Sequence, residues 1–219
     1  MSSPLDLRLY LVTDPVLVGT RPLPDVVAAA VRGGVTCVQL RDKNASDEEL
    51  IRQARELLGL LQPAGVPLIV NDRVEVARRV GASGVHVGVH DVTPREARNT
   101  LGPEPIVGWS IERAEQLHDN EQLTACSYVA ASPVWVTGTK TDTAEPWGPA
   151  GVRYLRSLTT LPLIGIGGID VVRAGEVIEA GADGVAVVSA ILAAADPEKA
   201  AYELRTAVDA AFMLRGSER

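Results

Sequence analysis

Short apolar runs alternate along this chain with longer amphipathic stretches, and that sustained rhythm is the pattern of a parallel sheet wrapped in helices. Eight runs read as strands: Arg8 to Val12, Thr36 to Leu40, Leu68 to Val70, Gly84 to Val87, Ile106 to Trp109, Tyr128 to Ala130, Leu163 to Ile166 and Gly184 to Val188. The stretches Pro24 to Arg32, Asp47 to Leu61, Val74 to Val80, Pro94 to Thr100, Glu112 to Asn120, Gly151 to Leu158, Val171 to Ala180 and Pro197 to Arg215 fit surface helices. Several of them open on Ser, Thr, Asp or Pro at capping positions. Eight such units predict an α/β fold, a (β/α)8 TIM barrel forming a single domain over residues 1–219, with a doubly wound open sheet as the competing topology. An internal echo points the same way: Gly81-Ala82-Ser83-Gly84-Val85-His86-Val87 matches Gly181-Ala182-Asp183-Gly184-Val185-Ala186-Val187, segments that precede or form strands 4 and 8. Two similar half-barrels would produce it, and so would glycine-capped helix-to-strand turns.

Composition narrows the partners. A net charge of −7 and a pI near 5.0 give no basic footprint for nucleic acid. The only cysteines, Cys37 and Cys126, fit reduced and buried thiols, which favours the cytoplasm. No segment reads as a secretory leader or a membrane span. Small anions remain the expected ligands, and homo-oligomerisation is left open.

In a barrel, chemistry collects at the carboxyl ends of the strands. Gly165-Ile166-Gly167-Gly168 and Val187-Val188-Ser189 each follow an apolar run and lead into a helix-like one. Residues without side chains let backbone N–H groups approach an anion, so the pair reads as a phosphate site. After strand 2, Gln39-Leu40-Arg41-Asp42-Lys43 in extended geometry sends Gln39, Arg41 and Lys43 to one side and Leu40 and Asp42 to the other. An amide, a guanidinium and an ammonium suit a diphosphate, and the plainer reading is a solvated charged loop. Asp72 and Asp91 follow strands 3 and 4, where two carboxylates can share Mg2+; alternatively Asp72 caps the next helix and Asp91 sits in an Asx turn. The long loop Ala131 to Pro149 holds Thr137-Gly138-Thr139-Lys140, suited to gripping phosphate and closing over it, or to a polar surface turn. Ser110 is either a substrate hydrogen-bonder or a helix cap. His86 reads as an inward-facing barrel residue and His118 as a surface one, and no nucleophile elbow, Cys-His pair or zinc signature occurs.

Seven segments together resemble the thiamine phosphate synthase family over nearly the whole chain. They are Tyr10-Leu11-Val12-Thr13-Asp14, Val38 to Lys43, Asn71-Asp72-Arg73, Gly84 to Gly88 with Asp91, Thr137 to Lys140, Gly165 to Ile169 and Gly184 to Ile191. The resemblance implies a (β/α)8 barrel and a transferase joining hydroxymethylpyrimidine diphosphate to a thiazole phosphate, releasing diphosphate. It implies Arg41, Lys43, Ser110 and Lys140 as catalytic residues. Gln39, Leu40, Arg41, Asp42, Lys43, Asn71, Ser110 and Lys140 would surround the pyrimidine diphosphate, and Asp72 and Asp91 would hold Mg2+. Thr137, Gly138, Thr139, Gly168, Val188 and Ser189 would hold the thiazole phosphate. The implied mechanism is dissociative, with diphosphate leaving before the thiazole nitrogen attacks. Val89 stands where the family usually has Gln, and Val136 where Pro usually precedes Thr137. Two rivals share the glycine phosphate site: a thiazole tautomerase, which transfers protons, and a non-catalytic sensor of phosphorylated ligands. Neither needs the combined Lys43, Asp72, Asp91 and Lys140 set.

Overall fold

In the computed structural model, which describes residues 5–137 and 145–217, eight parallel strands pair in chain order and the last pairs with the first. The strands are β1 (Leu9–Val12), β2 (Cys37–Leu40), β3 (Leu68–Asn71), β4 (Gly84–Val87), β5 (Ile106–Ile111), β6 (Tyr128–Ala131), β7 (Leu163–Ile166) and β8 (Gly184–Val187). Closure leaves no sheet edge and settles the topology as the (β/α)8 barrel rather than the open sheet. Around it run α1 (Pro15–Val18), α2 (Leu23–Arg32), α3 (Asp47–Leu61), α4 (Val74–Val80), α5 (Pro94–Leu101), α6 (Asn120–Leu123), α7 (Gly148–Leu158), α8 (Val171–Glu179), α9 (Ser189–Leu192) and α10 (Pro197–Ser217).

Strand alternation divides the core into two shells. Outward residues such as Leu9, Leu11, Val38, Leu40, Val85 and Val129 pack against the helices, while Tyr10, Val12, Cys37, Ile69, Tyr128, Ala130, Ile164 and Ala186 fill the barrel interior. Each fully buried Leu, Ile or Val side chain contributes roughly 1.5–3 kcal/mol to folding.

The amino ends of the strands are closed by one device used four times. Thr36, Ser83, Ser127 and Asp183, just before β2, β4, β6 and β8, donate their backbone N–H to the carbonyls of Leu9, Leu68, Val107 and Leu163. Their side-chain oxygens accept from the N–H of the same four residues, at 3.2, 3.2, 3.1 and 3.0 Å. Gly81 and Gly181, at φ 65° and 108°, end the helices that lead into two of these turns. The echo between Gly81–Val87 and Gly181–Val187 is thus the legible half of a turn repeated at every second strand.

The segment predicted as one helix over 112–120 is instead a 3-10 turn (Ala114–His118) followed by α6. Gln116 pulls the backbone inward by accepting from the N–H groups of Glu112 and Arg113 and donating to the Ser110 carbonyl, and Asp119 starts a new helix by capping Gln122. Helices α1 and α9 are too short to show a hydrophobic period. Elsewhere the predicted caps operate: Ser46 and Thr93 form reciprocal capping boxes with Glu49 and Glu96, and Asp170 caps α8.

Candidate active site

At the carboxyl ends of the strands the barrel opens into a cleft of about 1000 Å³, counted out to its mouth. Gln39, Arg41, Lys43, Asn71, Asp72, Asp91, Ser110, Thr137, Gly168, Val188 and Ser189 all line it. Stretches of chain far apart in sequence therefore meet at one rim, with both carboxylates facing the same cavity.

The cationic side is held from below. Thr13, the residue after β1, accepts the Arg41 N–H at 2.8 Å and donates its hydroxyl to the Arg41 carbonyl at 3.2 Å. This double bond to the backbone fixes where the guanidinium leaves the loop. Asp14 caps α1 and lies 3.8 Å from the Arg41 guanidinium. Lys43 is half-exposed and reaches Asp72 at 3.8 Å. Leu40 and Asp42 do not join this lining. Leu40 is packed in the outer shell, and Asp42 accepts from the N–H groups of Asn44 and Ala45, shaping the loop from behind. The segment resemblance brought them in; strand alternation takes their side chains out.

Asp72 is the only described non-glycine residue at positive φ, 59°. Its N–H donates to the His86 carbonyl at 2.9 Å, so the backbone is held in this uncommon state while the carboxylate turns to the cleft. Helix α4 begins without a side-chain cap, which removes the capping role for Asp72. Asp91 accepts from the Gly88 N–H at 2.7 Å, bending the loop after β4 back over the rim, and Thr93 rather than Asp91 starts α5. Burial first, then the hydrogen bond and charge of Asp91, raise the Asp72 carboxyl to about 6, against the opposing pull of Lys43 and Asn71. Among the described residues, the half-exposed Lys43 ammonium is the cation within 4 Å of this pair, and one ammonium does not neutralise two carboxylates. That surplus, on a pair of hard oxygen donors beside open space, fits a divalent ion such as Mg2+, which takes one or two protein carboxylates and fills its shell with water and phosphate oxygens. No cluster of three or more His, Cys, Asp or Glu residues occurs among the described residues.

Across the cleft, Gly167 and Gly168 sit at φ 103° and 65°. A Cβ on Gly167 would lie 2.7 Å from Pro133 Cβ, and one on Gly168 2.9 Å from Trp135 Cβ. Only bare backbone fits between these loops. The chain after β6 runs alongside them, with Val134 and Trp135 donating to the carbonyls of Ile166 and Gly167. Arg173 clamps the pair by bonding the Gly168 carbonyl at 2.7 Å and lying over the Trp135 ring at 5.0 Å. Gly138, Thr139 and Lys140 lie outside the described residues.

Ser110 is inside β5 and not at a helix start, so its hydroxyl is not a cap; it pairs with His86 Nε2 at 2.9 Å. Beneath the cleft stand residues that sequence reasoning did not assign to the site. Tyr10 and Tyr128 are fully buried, and they join Gln39 to His86 through hydrogen bonds of 2.9, 3.1 and 2.8 Å. The signal available was their placement: each is an inward position carrying a polar group on an otherwise apolar strand. His118 is exposed and His86 faces inward, as expected. Burial also raises both cysteine thiols, as befits inert core positions.

Fold and site together define a (β/α)8-barrel enzyme architecture, with its chemistry at the carboxyl end of the strands. The family model for thiamine monophosphate synthase matches residues 9–191. The chain is 52% identical over 204 residues to a thiamine-phosphate synthase of Albidiferax ferrireducens, covering 93% of each chain. It is also 52% identical over 211 residues to one of Xanthobacter autotrophicus, covering 96% of this chain and all of the relative. Among solved structures, a thiamine phosphate pyrophosphorylase from Pyrococcus furiosus superposes with a TM-score of 0.86 at 34% identity, covering 95% of this chain and 98% of that one. The chain belongs to the thiamine monophosphate synthase family of enzymes.

Proposed function

We propose that this protein condenses hydroxymethylpyrimidine diphosphate with a thiazole phosphate, giving thiamine phosphate and diphosphate, in a Mg2+-dependent, dissociative substitution. The observation that carries the reading is the pairing of two unlike anion cradles on one rim: Arg41, Lys43, Asp72 and Asp91 on one side, and the bare backbone of Gly167-Gly168 with Val188-Ser189 on the other. A single phosphorylated ligand needs one cradle; a condensation of two needs both.

Arg41 and Lys43 bind the diphosphate of the first substrate, a role the family resemblance extends to Lys140, which lies outside the described residues. Gln39, Asn71 and Ser110 orient the pyrimidine. Asp72 and Asp91 hold Mg2+, which when bound supplies positive charge that offsets the charge gathering on diphosphate. The bond between the pyrimidine methylene and oxygen breaks, its electron pair leaves with diphosphate, and the thiazole nitrogen lone pair closes on the resulting cation. Thr137, Gly138, Thr139, Gly168, Val188 and Ser189 hold the thiazole phosphate so that this nitrogen faces the methylene. No base or protein nucleophile is needed; placement and electrostatic stabilisation of the leaving group suffice. The reaction runs on small molecules in the cytoplasm, and no described helix is long and apolar enough to cross a membrane.

The test is to incubate purified protein with both substrates, with Mg2+ or with chelator, and to quantify thiamine phosphate and diphosphate. One product per diphosphate released, only with the metal, is expected. No condensation under any condition would remove the reading, and full turnover in chelator would remove the carboxylate roles.

A further inference from the structure

Five buried polar side chains cross the barrel interior directly under the cleft. The Gln39 amide donates to the Tyr10 hydroxyl at 2.9 Å, the two tyrosine hydroxyls meet at 3.1 Å, Tyr128 meets His86 Nδ1 at 2.8 Å, and His86 Nε2 meets Ser110 at 2.9 Å. The chain starts on β2 and ends on β5, so it links two walls of the same cavity. Resting on the function proposed above, we infer that Tyr10, Tyr128 and His86 are positioning residues: a one-way hydrogen-bond relay that fixes the Gln39 amide and leaves the Ser110 proton aimed at the bound pyrimidine diphosphate.

The direction follows from counting protons. Each hydroxyl has one to give. Tyr10 already receives the Gln39 N–H, and its own proton can go to the Tyr128 oxygen or to the sulfur of Cys37 beside it. A thiol sulfur is a weak acceptor, and burial keeps Cys37 a thiol, so the phenol oxygen takes the proton. Tyr128 then gives its proton to His86 Nδ1. On a neutral ring that choice places the imidazole proton on Nε2, which donates to the Ser110 oxygen. Ser110, at the lip of the cleft, keeps its own proton for an acceptor other than the ring. Burial raises both tyrosine hydroxyls far above their ordinary range, so they stay donors at any working pH. Bonds aligned head to tail in a low-dielectric interior also strengthen one another.

The local packing is made for this chain. A Cβ at Gly108 would collide with the Tyr128 hydroxyl and with His86 Nδ1, so the bare strand is what lets the two side chains meet. The His86 ring stacks on Tyr128 with centroids 5.6 Å apart, and Tyr10 meets Tyr128 edge-on at 6.0 Å. A core that only satisfied its polar groups would have no need to end on a hydroxyl facing open space.

Two measurements test the relay. Long-range 1H–15N correlation on 15N-histidine protein, assigned with His90→Ala and His118→Ala, reads the His86 tautomer in the free enzyme; a proton on Nε2 with bare Nδ1 is expected. Steady-state kinetics then compare Tyr128→Phe, Ser110→Ala and the double variant, with thermal melting to establish that each is folded. Tyr128→Phe should lower kcat about tenfold with little change in KM, and the double variant should be no slower than Ser110→Ala alone, because both act through one hydroxyl. A proton on Nδ1, or effects that multiply in the double variant, would overturn the relay. If the wild type makes no thiamine phosphate, the functional reading beneath it falls instead, and the tautomer result shows which of the two failed.

Discussion

The two ends of this barrel are built from the same residue types and put them to opposite use. At the amino end, Thr36, Ser83, Ser127 and Asp183 each turn a side-chain oxygen back onto the backbone of the preceding strand. Arginines there do likewise: Arg156 bonds Asp183 and the Leu161 carbonyl, and Arg215 bonds the carbonyls of Ile178 and Ala182. At the carboxyl end, Arg41, Lys43, Asp72 and Asp91 face an open cleft, and burial together with the neighbouring Asp91 carboxylate raises the Asp72 carboxyl against the pull of Lys43. A polar group paired within the chain stabilises the fold; one left facing space is available to a ligand. The contrast separates residues that hold the barrel from residues that work in it, and substitutions at the two ends should therefore fail in different assays.

The largest effect is expected at the rim. Replacing Asp72 by Asn, which tolerates the same backbone conformation, should cut kcat/KM about 100-fold or more while the melting temperature holds or rises, since the change removes an unbalanced buried charge. Unchanged turnover would place the carboxylate outside the chemistry. Next comes Asp183→Ala at the opposite end. It strips the cap from Leu163 and a partner from Arg156, and should lower stability by about 1–3 kcal/mol with kcat intact, measured by chemical denaturation beside steady-state kinetics. A loss of turnover at undiminished stability would erase the division between the two ends.

Gly168→Ala adds about 1–2 kcal/mol of backbone strain at φ 65° to the cost of a Cβ pressing on Trp135 Cβ at 2.9 Å, and should raise KM for the thiazole phosphate more than for the pyrimidine diphosphate. Equal changes in both constants would break the assignment of separate cradles. The smallest effect is that of pH. Because the Asp72 carboxyl is raised from 3.8 to about 6 in the fold, its protonated form adds stability that is complete below about pH 4 and is lost as pH rises through about 6. Added Mg2+ should restore that stability at neutral pH, and should bind more weakly as pH falls through the same window. Melting curves with Mg2+ and with chelator would detect this, and identical curves across the range would contradict the shared carboxylate site.

The strands were legible because barrel strands are buried on both faces and read as continuous apolar runs, bounded here to within about two residues. The longer helices showed their period and their caps. Helices α1 and α9 lacked the length for either, and the 112–120 region carried a helical period that Gln116 and Asp119 interrupt through side-chain bonds to the backbone. At the site, strand alternation put Gln39, Arg41 and Lys43 on one side and the side chains of Leu40 and Asp42 on the other, while the family resemblance supplied the roles of all five. The repeated amino-end turn was half visible: Gly34 precedes Thr36 as Gly81 and Gly181 precede Ser83 and Asp183, but Val35 replaces the alanine between them, and Ser127 follows Ala125-Cys126 with no glycine at all. The link between Tyr10, Tyr128 and His86 escaped notice since it crosses the barrel between residues up to 118 positions apart, and no short motif records such a contact.

The central claim is that one rim holds two anions side by side. A crystal structure of the protein grown with Mg2+, diphosphate and a thiazole phosphate would test it most directly. The account predicts diphosphate on Arg41 and Lys43, the metal between Asp72 and Asp91, and the second phosphate against Gly168 and Ser189. Both anions crowding into one cradle, or a metal bound away from the two carboxylates, would contradict it.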